Sequence, residues 1–398
     1  MISGYTARDS KIGSGGVGQP LNSRPACIAQ PFRLSCNGPP RKLGIFRDPL
    51  AFGTGCAWLK FRAPPCYLPI FESLSVYRTV LILFCFSLPA FCKQIAVITK
   101  ASYVGETAFA YRIQKACMNI GWEADLFQSR NLENLENKEY DFVICLVPCG
   151  CKHLKCPKYL TVFSPGATMF SSDLRLKEWL SHFDGYLLTF PLEKDVDKGS
   201  FADKRCMEWY PTVYWREYQE VDPLFLFQTC ATWGNRVSDT KFQDLYRLLD
   251  KEPYSRFYGR SKVAELCPLS YQGAIPFDDE SLYEIASRSG ISLIIHSSKH
   301  NDAGIPSGRI FEAAAASTVI ISDANSFVQT HFGDSVLYID TSHDALSILN
   351  QIRNHIYWIR NNKPAALAKA KRAHDIFTEK FLLEEQLLRL EEFHSKQL

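Results

Sequence analysis

Ile291-Ser292-Leu293-Ile294-Ile295-His296 is an almost continuous apolar run, and a polar loop over 297–306 separates it from Ser307-Gly308-Arg309-Ile310-Phe311-Glu312-Ala313-Ala314-Ala315-Ala316. A run without polar alternation reads as a strand covered on both faces, as in a parallel sheet between layers of helices. The alanine-rich stretch after it reads as a helix. A strand, a loop with Gly304 and Gly308, and a helix start together make a place for an anion, because unpaired amides and the helix dipole can meet a diphosphate there. Glu312 stands about one turn into the helix, where a carboxylate can accept hydrogen bonds from a ribose diol. The plainer alternative is that Ser307 only caps the helix and Glu312 only answers its dipole.

The same alternation extends in both directions. Downstream, 318–322 and 335–339 read as strands, and helical text runs almost to the end. Upstream, 224–229 reads as a strand, and a loop with Trp233-Gly234-Asn235-Arg236 leads to a helix with Phe242, Leu245, Leu248 and Leu249 inward. A short strand at 256–258 and a helix at 281–288 complete this set, which an acid-rich connector over 215–223 separates from an earlier one. There, strands are expected at 94–99, 122–127, 142–147, 159–163 and 186–190, with helices after Glu106 and over 173–183. The first of those helices spaces Phe109, Ile113, Ala116, Cys117 and Ile120 at the helical period and stops at Gly121. Strands alternating with helices build parallel sheets. The expected class is α/β, with two facing Rossmann-like domains at 93–215 and 224–363 and a cleft between them. A helical tail over 364–398 follows, whose Leu382, Leu383, Leu387, Leu388 and Leu390 are expected to pack back across the domains.

Arg236 and Lys241 lie five apart where the strand at 224–229 gives way to its helix, so both cations can border a ligand at the carboxyl edge of the sheet. A forked donor beside a mobile charge suits a pyrophosphate, while solvated surface cations are the bland alternative. At this point the sequence resembles the GT-B glycosyltransferases with a group-1-like C-terminal domain, particularly the relatives described as spore-maturation glycosyltransferase-like. The resemblance covers about residues 94–380 and is strongest over 271–340. It implies an enzyme that uses a nucleotide-diphosphate sugar, with Arg236 and Lys241 gripping the diphosphate and Glu312 of the Glu312-Ala313 pair binding the ribose. Tyr271-Gln272-Gly273 would lie near the base, Ser307, Gly308 and Arg309 at the donor-side helix start, and Gly105-Glu106 at the glycine loop facing the acceptor. The sequence departs from the pattern at Gly304, eight residues before Glu312, where many retaining members place a second Glu.

A base for the acceptor hydroxyl has two candidates: Glu106, in the first loop of the N-terminal half, and His296, at the end of a strand facing the expected cleft. Their structural alternatives are helix charge compensation and an ordinary strand-end histidine. The leading expectation is a metal-independent hexosyl-type transferase acting on a glycan, lipid or protein, with no cofactor. A non-catalytic nucleotide- or glycan-binding protein of the same fold and a sugar-nucleotide epimerase are the alternatives. No G-x-G-x-x-G follows the 94–99 strand, which argues against a dinucleotide cofactor.

Composition sets the outer bounds. The 398 residues are 46% hydrophobic, enough for a large core. Residues 1–92 carry 10 of the 45 Lys and Arg but only 3 of the 42 Asp and Glu, leaving 35 basic against 39 acidic groups elsewhere. A near-neutral body lacks the clustered cations that nucleic acid requires. Residues 1–76, with nine Pro and nine Gly, read as a non-globular leader, either disordered or upstream of the true start. Residues 77–92 read as a signal-peptide core or short anchor rather than a membrane span. The expected location is accordingly cytoplasmic or at a membrane surface, or exported if that segment is cleaved. Cys149, Cys151, His153 and Cys156 are zinc-type donors, but C-x-C-x4-C has no second spaced pair, so ordinary buried or loop thiols and no metal are the expected reading.

Overall fold

Alternation along the strands decides which core each side chain joins. In β1 (Gln94–Thr99), Ile95 and Val97 enter one buried cluster and Ala96 and Ile98 another on the opposite face. Such a strand is covered on both sides, and β1 lies inside a parallel sheet with β2 (Glu123–Gln128), β3 (Phe142–Cys145), β4 (Lys158–Val162), β5 (Gly185–Leu188) and β6 (Cys206–Glu208), in the order β2-β1-β3-β4-β5-β6. A computed structural model provides these coordinates and describes residues 92–100, 104–135, 138–147, 149–163, 180–190, 205–229, 239–276, 278 and 280–396. The leader, the apolar segment up to residue 91, most of the helix expected over 173–183, and the loop holding Arg236 lie outside the described residues.

The second sheet is also parallel and contains β7 (Phe225–Gln228), β8 (Ser255–Phe257), β9 (Gly290–Ile294), β10 (Val319–Asp323) and β11 (Leu337–Ile339), ordered β11-β10-β9-β7-β8. In each sheet the order reverses beside the first strand, at β1/β3 and at β7/β9. The expectation of an α/β chain with two Rossmann-like halves is met.

Helix α1 (Val104–Asn119) follows β1, and α2 (Thr240–Leu249) follows β7. Next come α3 (Ser261–Leu266), α4 (Glu280–Ser289), α5 (Ser298–Ala303), α6 (Gly308–Ala315), α7 (Ser326–Phe332) and α8 (Ala345–Asn361). The chain ends in α9 (Lys363–Lys380) and α10 (Leu383–Ser395). One continuous buried cluster joins the halves, drawing Ile95 and Ile113 from the first, Phe227, Ile310 and Phe311 from the second, and Phe377 and Leu387 from the tail. The tail therefore returns to the first half. Tyr159 Oη meets His394 Nδ1 at 2.9 Å, Lys93 pairs with Glu391 at 2.8 Å, and Asn119 donates to Glu384 at 2.7 Å.

Several sequence expectations need correction. The loop over 297–306 contains α5, whose six residues bury nothing and so leave no apolar period to read. The strand expected over 335–339 begins only at Leu337, because Gly333–Ser335 forms a 3-10 turn. The edge strand β6 and the short helices α3 and α7 were not anticipated. In the tail Leu383, Leu387 and Leu390 are fully buried but Leu388 is 41% exposed, since it falls off the stripe that the 3.6-residue period makes of the other three. No described helix is long and apolar enough to cross a membrane.

Candidate functional site

In an open parallel sheet the crevice at the carboxyl ends of the strands, where strand order reverses, is the place for a ligand. At β7/β9 that place is built by Phe227 and Thr229 from β7 and its end, Ser292–Ile294 from β9, Leu282 and Ala286 from α4, and Arg309, Glu312 and Ala313 from α6. These residues line a cavity of about 20 Å³, room for about one water.

Glu312 dominates its chemistry. The carboxylate accepts from Arg309 Nη1 at 2.5 Å and pairs with Arg112 Nη2 at 2.8 Å, both within reach of buried oxygens. Burial pushes the carboxyl upward, yet Arg309 and Arg112 outweigh it and hold Glu312 below the usual carboxylate range. The Arg309 pair is local, three residues apart on α6. Arg112 comes from α1 in the other half, so the carboxylate assigned to ribose by resemblance is also an ion pair between halves. Arg112 carried no signal in the sequence, being one cation in the middle of an amphipathic helix.

At the head of α6, Ser307 caps the helix by accepting from Arg309 N at 3.3 Å. Gly308 is explained by packing: a Cβ there would stand 3.0 Å from the carbonyl oxygen of Pro211, shortly after β6. Gly304 is explained by its backbone. It closes α5 in the left-handed region, φ 63° and ψ 31°, where a glycine pays no steric penalty. A Glu at this position would be strained, so the departure from the family pattern has a local structural cause.

His296 follows β9, and its Nδ1 lies 2.6 Å from Asp323 Oδ1 at the end of β10. A carboxylate only accepts, so Nδ1 carries the proton and donates. Asp323 also accepts from His296 N at 3.1 Å and Asn301 Nδ2 at 2.8 Å. Although burial opposes its charge, these donors, His296 first, hold Asp323 below the usual range. Asn325 extends the network: it caps α7 and donates to Asn301 Oδ1 and Ile305 O at 3.0 and 3.2 Å. The His296 ring is fully buried, and its Nε2 has no hydrogen-bond partner among the described residues. The imidazole is therefore oriented by Asp323 but enclosed, and does not face an open cleft as the sequence suggested.

The remaining expected residues are distributed around the same edge. Lys241 begins α2, where Asp239 caps the helix, and its Nζ donates to Thr341 O at 2.7 Å. Tyr271 bridges to Phe257 beyond β8, with its hydroxyl donating to Gly259 O at 2.9 Å. Gly273 adopts φ 114° and accepts from Gly259 N at 3.0 Å. Gly105 is exposed and Glu106 half-exposed in the first turn of α1, the helix that carries Arg112. The structure thus brings together Arg309, Glu312 and the end of β7, and ties His296 to Asp323, while Lys241, Tyr271 and Gly273 keep separate contacts.

Residues 233–388 match the model of a family described as glycosyl transferase-like. Among solved structures, sucrose-phosphate synthase from Thermosynechococcus elongatus aligns over 76% of this chain and 98% of its own, with TM-score 0.53 and 12% identity. HepE from Anabaena, in complex with UDP-glucose, aligns over 76% and 99% with TM-score 0.51 and 10% identity. An α-glucosyltransferase in complex with UDP and a 13-mer DNA aligns over 74% and 98% with TM-score 0.53 and 12% identity. The fold is GT-B, with a group-1-like C-terminal half. No curated protein sequence matches the chain. In this GT-B chain the matched stretch contains α2, the β7/β9 crevice wall formed by β9 and α6, the His296–Asp323 pair and most of the tail.

Proposed function

We propose that the chain transfers a sugar from a nucleoside-diphosphate donor to a hydroxyl of a glycan, lipid or protein, with the donor on the C-terminal half. The observation that carries this reading is the Arg309–Glu312 pair at the β7/β9 switch point, inside the stretch matching a glycosyl transferase-like family. In this reading Glu312 accepts the ribose hydroxyls, the start of α6 at Ser307 and Gly308 faces the diphosphate, and Tyr271 and Gly273 border the base. Lys241 and Arg236 take up the negative charge of the leaving diphosphate, which cations can stabilise without a metal. The UDP-glucose of HepE and the UDP of the α-glucosyltransferase support a nucleotide-linked hexose as the donor class.

A nucleotide sugar needs several hundred Å³, against about 20 Å³ at the β7/β9 crevice. In this reading donor entry parts α1 from α6, with Arg112 releasing or sharing Glu312, and their return sequesters the reaction from water. The enclosed His296 is a positioning residue in this scheme, holding Asp323, which in turn accepts from Asn301. Glu106, half-exposed in the first turn of α1, is the base candidate that remains in this reading.

Released nucleoside diphosphate, measured over a panel of nucleotide sugars with and without acceptor glycans, tests the reading. Turnover of one donor is expected, with Glu106→Gln lowering kcat by about 10²–10⁴-fold and leaving donor Kd within about twofold. A second reading, a binder without turnover, is favoured by Gly304 standing where retaining relatives carry a Glu. Binding of a donor with no turnover by any acceptor supports it instead.

A further inference from the structure

The N-terminal half contains a cluster that the donor site does not use. Cys145 ends β3, and Cys149 and Cys151 lie in the loop that follows, and all three are buried. Cys149 Sγ lies 3.5 Å from Cys145 Sγ, Cys145 Sγ lies 3.9 Å from Cys151 Sγ, and the three sulfurs all fall within 4.8 Å of one another. Among the described residues this is the one group of three such donors brought together. The grouping differs from the Cys149, Cys151, His153, Cys156 set read from the sequence. The end of a strand supplies the third thiol, a neighbour in space that a spacing rule based on the loop alone does not reach.

We propose that Cys145, Cys149 and Cys151 form a tri-thiolate site for a divalent thiophilic cation, zinc being the cellular representative, with the fourth position taken by an enclosed water or small ligand. Geometry is the first argument. Zinc–sulfur bonds of about 2.3 Å at tetrahedral angles place sulfurs about 3.8 Å apart, and the separations of Cys145 Sγ from Cys149 Sγ and Cys151 Sγ, 3.5 and 3.9 Å, bracket that value. The set is thus already arranged for a metal.

Charge is the second argument. Three thiols that bind one divalent ion release three protons to solvent and leave a net charge of −1. Buried beside them is a cation: Lys158, 8% exposed, donates to the carbonyls of Leu154 at 3.0 Å and Cys156 at 3.1 Å, and stands 3.6 Å from Asp184. A monovalent ion would leave −2 in the same place, so the divalent charge fits better. The partner chemistry is also consistent with softness, since three sulfurs and no hard oxygen donor select zinc-type over calcium- or magnesium-type ions.

The site has a structural consequence. Cys149 and Cys151 belong to the buried cluster on the outer face of the first sheet, which also takes in Ile305 from the loop between α5 and α6. A metal there fixes the loop after β3 against a layer reached by the donor-side half, and does so without touching the proposed donor residues.

The test uses the full chain, purified from zinc-replete cells, with metal measured by elemental analysis and mercurial release. About one zinc per chain is expected. Replacement by Co²⁺ should give tetrahedral d–d bands and an intense thiolate-to-metal charge-transfer band, and chelation should lower Tm. Cys151→Ser should lose metal and band, while Cys206→Ser, a half-buried thiol on β6, should keep both. If Cys151→Ser does not fold, the cobalt spectrum of the unaltered chain decides. Substoichiometric zinc together with no charge-transfer band on Co²⁺ addition overturns the proposal, as does a Cys145–Cys149 disulfide in protein purified under argon.

Discussion

Glu312 answers to three demands at once: it neutralises Arg309 on its own helix, pairs with Arg112 across the halves, and is the carboxylate offered to a ribose. A buried carboxylate between two guanidiniums is stable only while those partners remain, because an unpaired buried charge is costly. The sequence could assign Glu312 from its place in a helix start, but Arg112 was invisible, since its partner lies 200 residues away and nothing in α1 marks one cation over another. Asp323 was invisible for a similar reason: only the side-by-side parallel register of β9 and β10 brings it to His296. Gly304 could be noticed but not explained until its backbone was known. Gly304→Glu, which restores the residue of retaining relatives, should cost about 1–2 kcal/mol because a side chain is forced into the left-handed region. Urea unfolding checks this, and an unchanged midpoint would show that the loop relaxes freely.

Long, strongly patterned elements were legible; of the short ones β8 was read one residue off, while β6, α3, α5 and α7 were not read. β1, α1, β9 and α6 announced themselves by continuous apolar runs or a 3.6-residue period, and the structure places them within a residue or two of the expected bounds. β6 and α5 have three and six residues, too few for any period, and are defined by pairing and caps that only the fold supplies. The start of β9 shows how tightly such elements are seated. Gly290 has φ 77°, and a Cβ there would stand 2.7 Å from Pro223 Cα and fall on the Asp222 carbonyl in the connector. Gly290→Ala combines backbone strain with a backbone clash, each costing about 1–3 kcal/mol. Thermal unfolding should therefore drop far more for this variant than for Gly105→Ala, where a Cβ meets nothing within 4 Å. Equal losses would contradict the packing account.

Across the whole molecule, the tail adds to the direct contacts that bind one half to the other, and it does so partly through buried histidines. Burial pushes the pKa values of His374 and His394 below the ordinary histidine range. Above about pH 6.5 both folded and unfolded forms are neutral there and nothing is lost. Below it the unfolded chain binds protons that the folded chain resists, so stability falls as pH drops from about 6.5 toward the folded values. Denaturant midpoints measured from pH 8 to pH 5 should show that fall, and His374→Gln should flatten it while lowering stability throughout, since His374 Nε2 also bonds Arg216 O at 3.0 Å. A wild-type curve that stays level across this range would contradict a histidine-held tail. The two-sheet architecture and the return of the tail were readable from pattern. The single buried cluster shared by both halves was not, because it depends on which faces meet.

The central claim is that the C-terminal half holds a nucleoside-diphosphate donor through Glu312. Calorimetric titration of the four common nucleoside diphosphates into the wild-type chain and Glu312→Gln tests it most directly. One diphosphate should bind at one site per chain, and the variant should bind it about 10- to 100-fold more weakly, the loss of a hydrogen bond to a charged group. Equal affinity in the two proteins, or no binding of any diphosphate to the wild type, would contradict it.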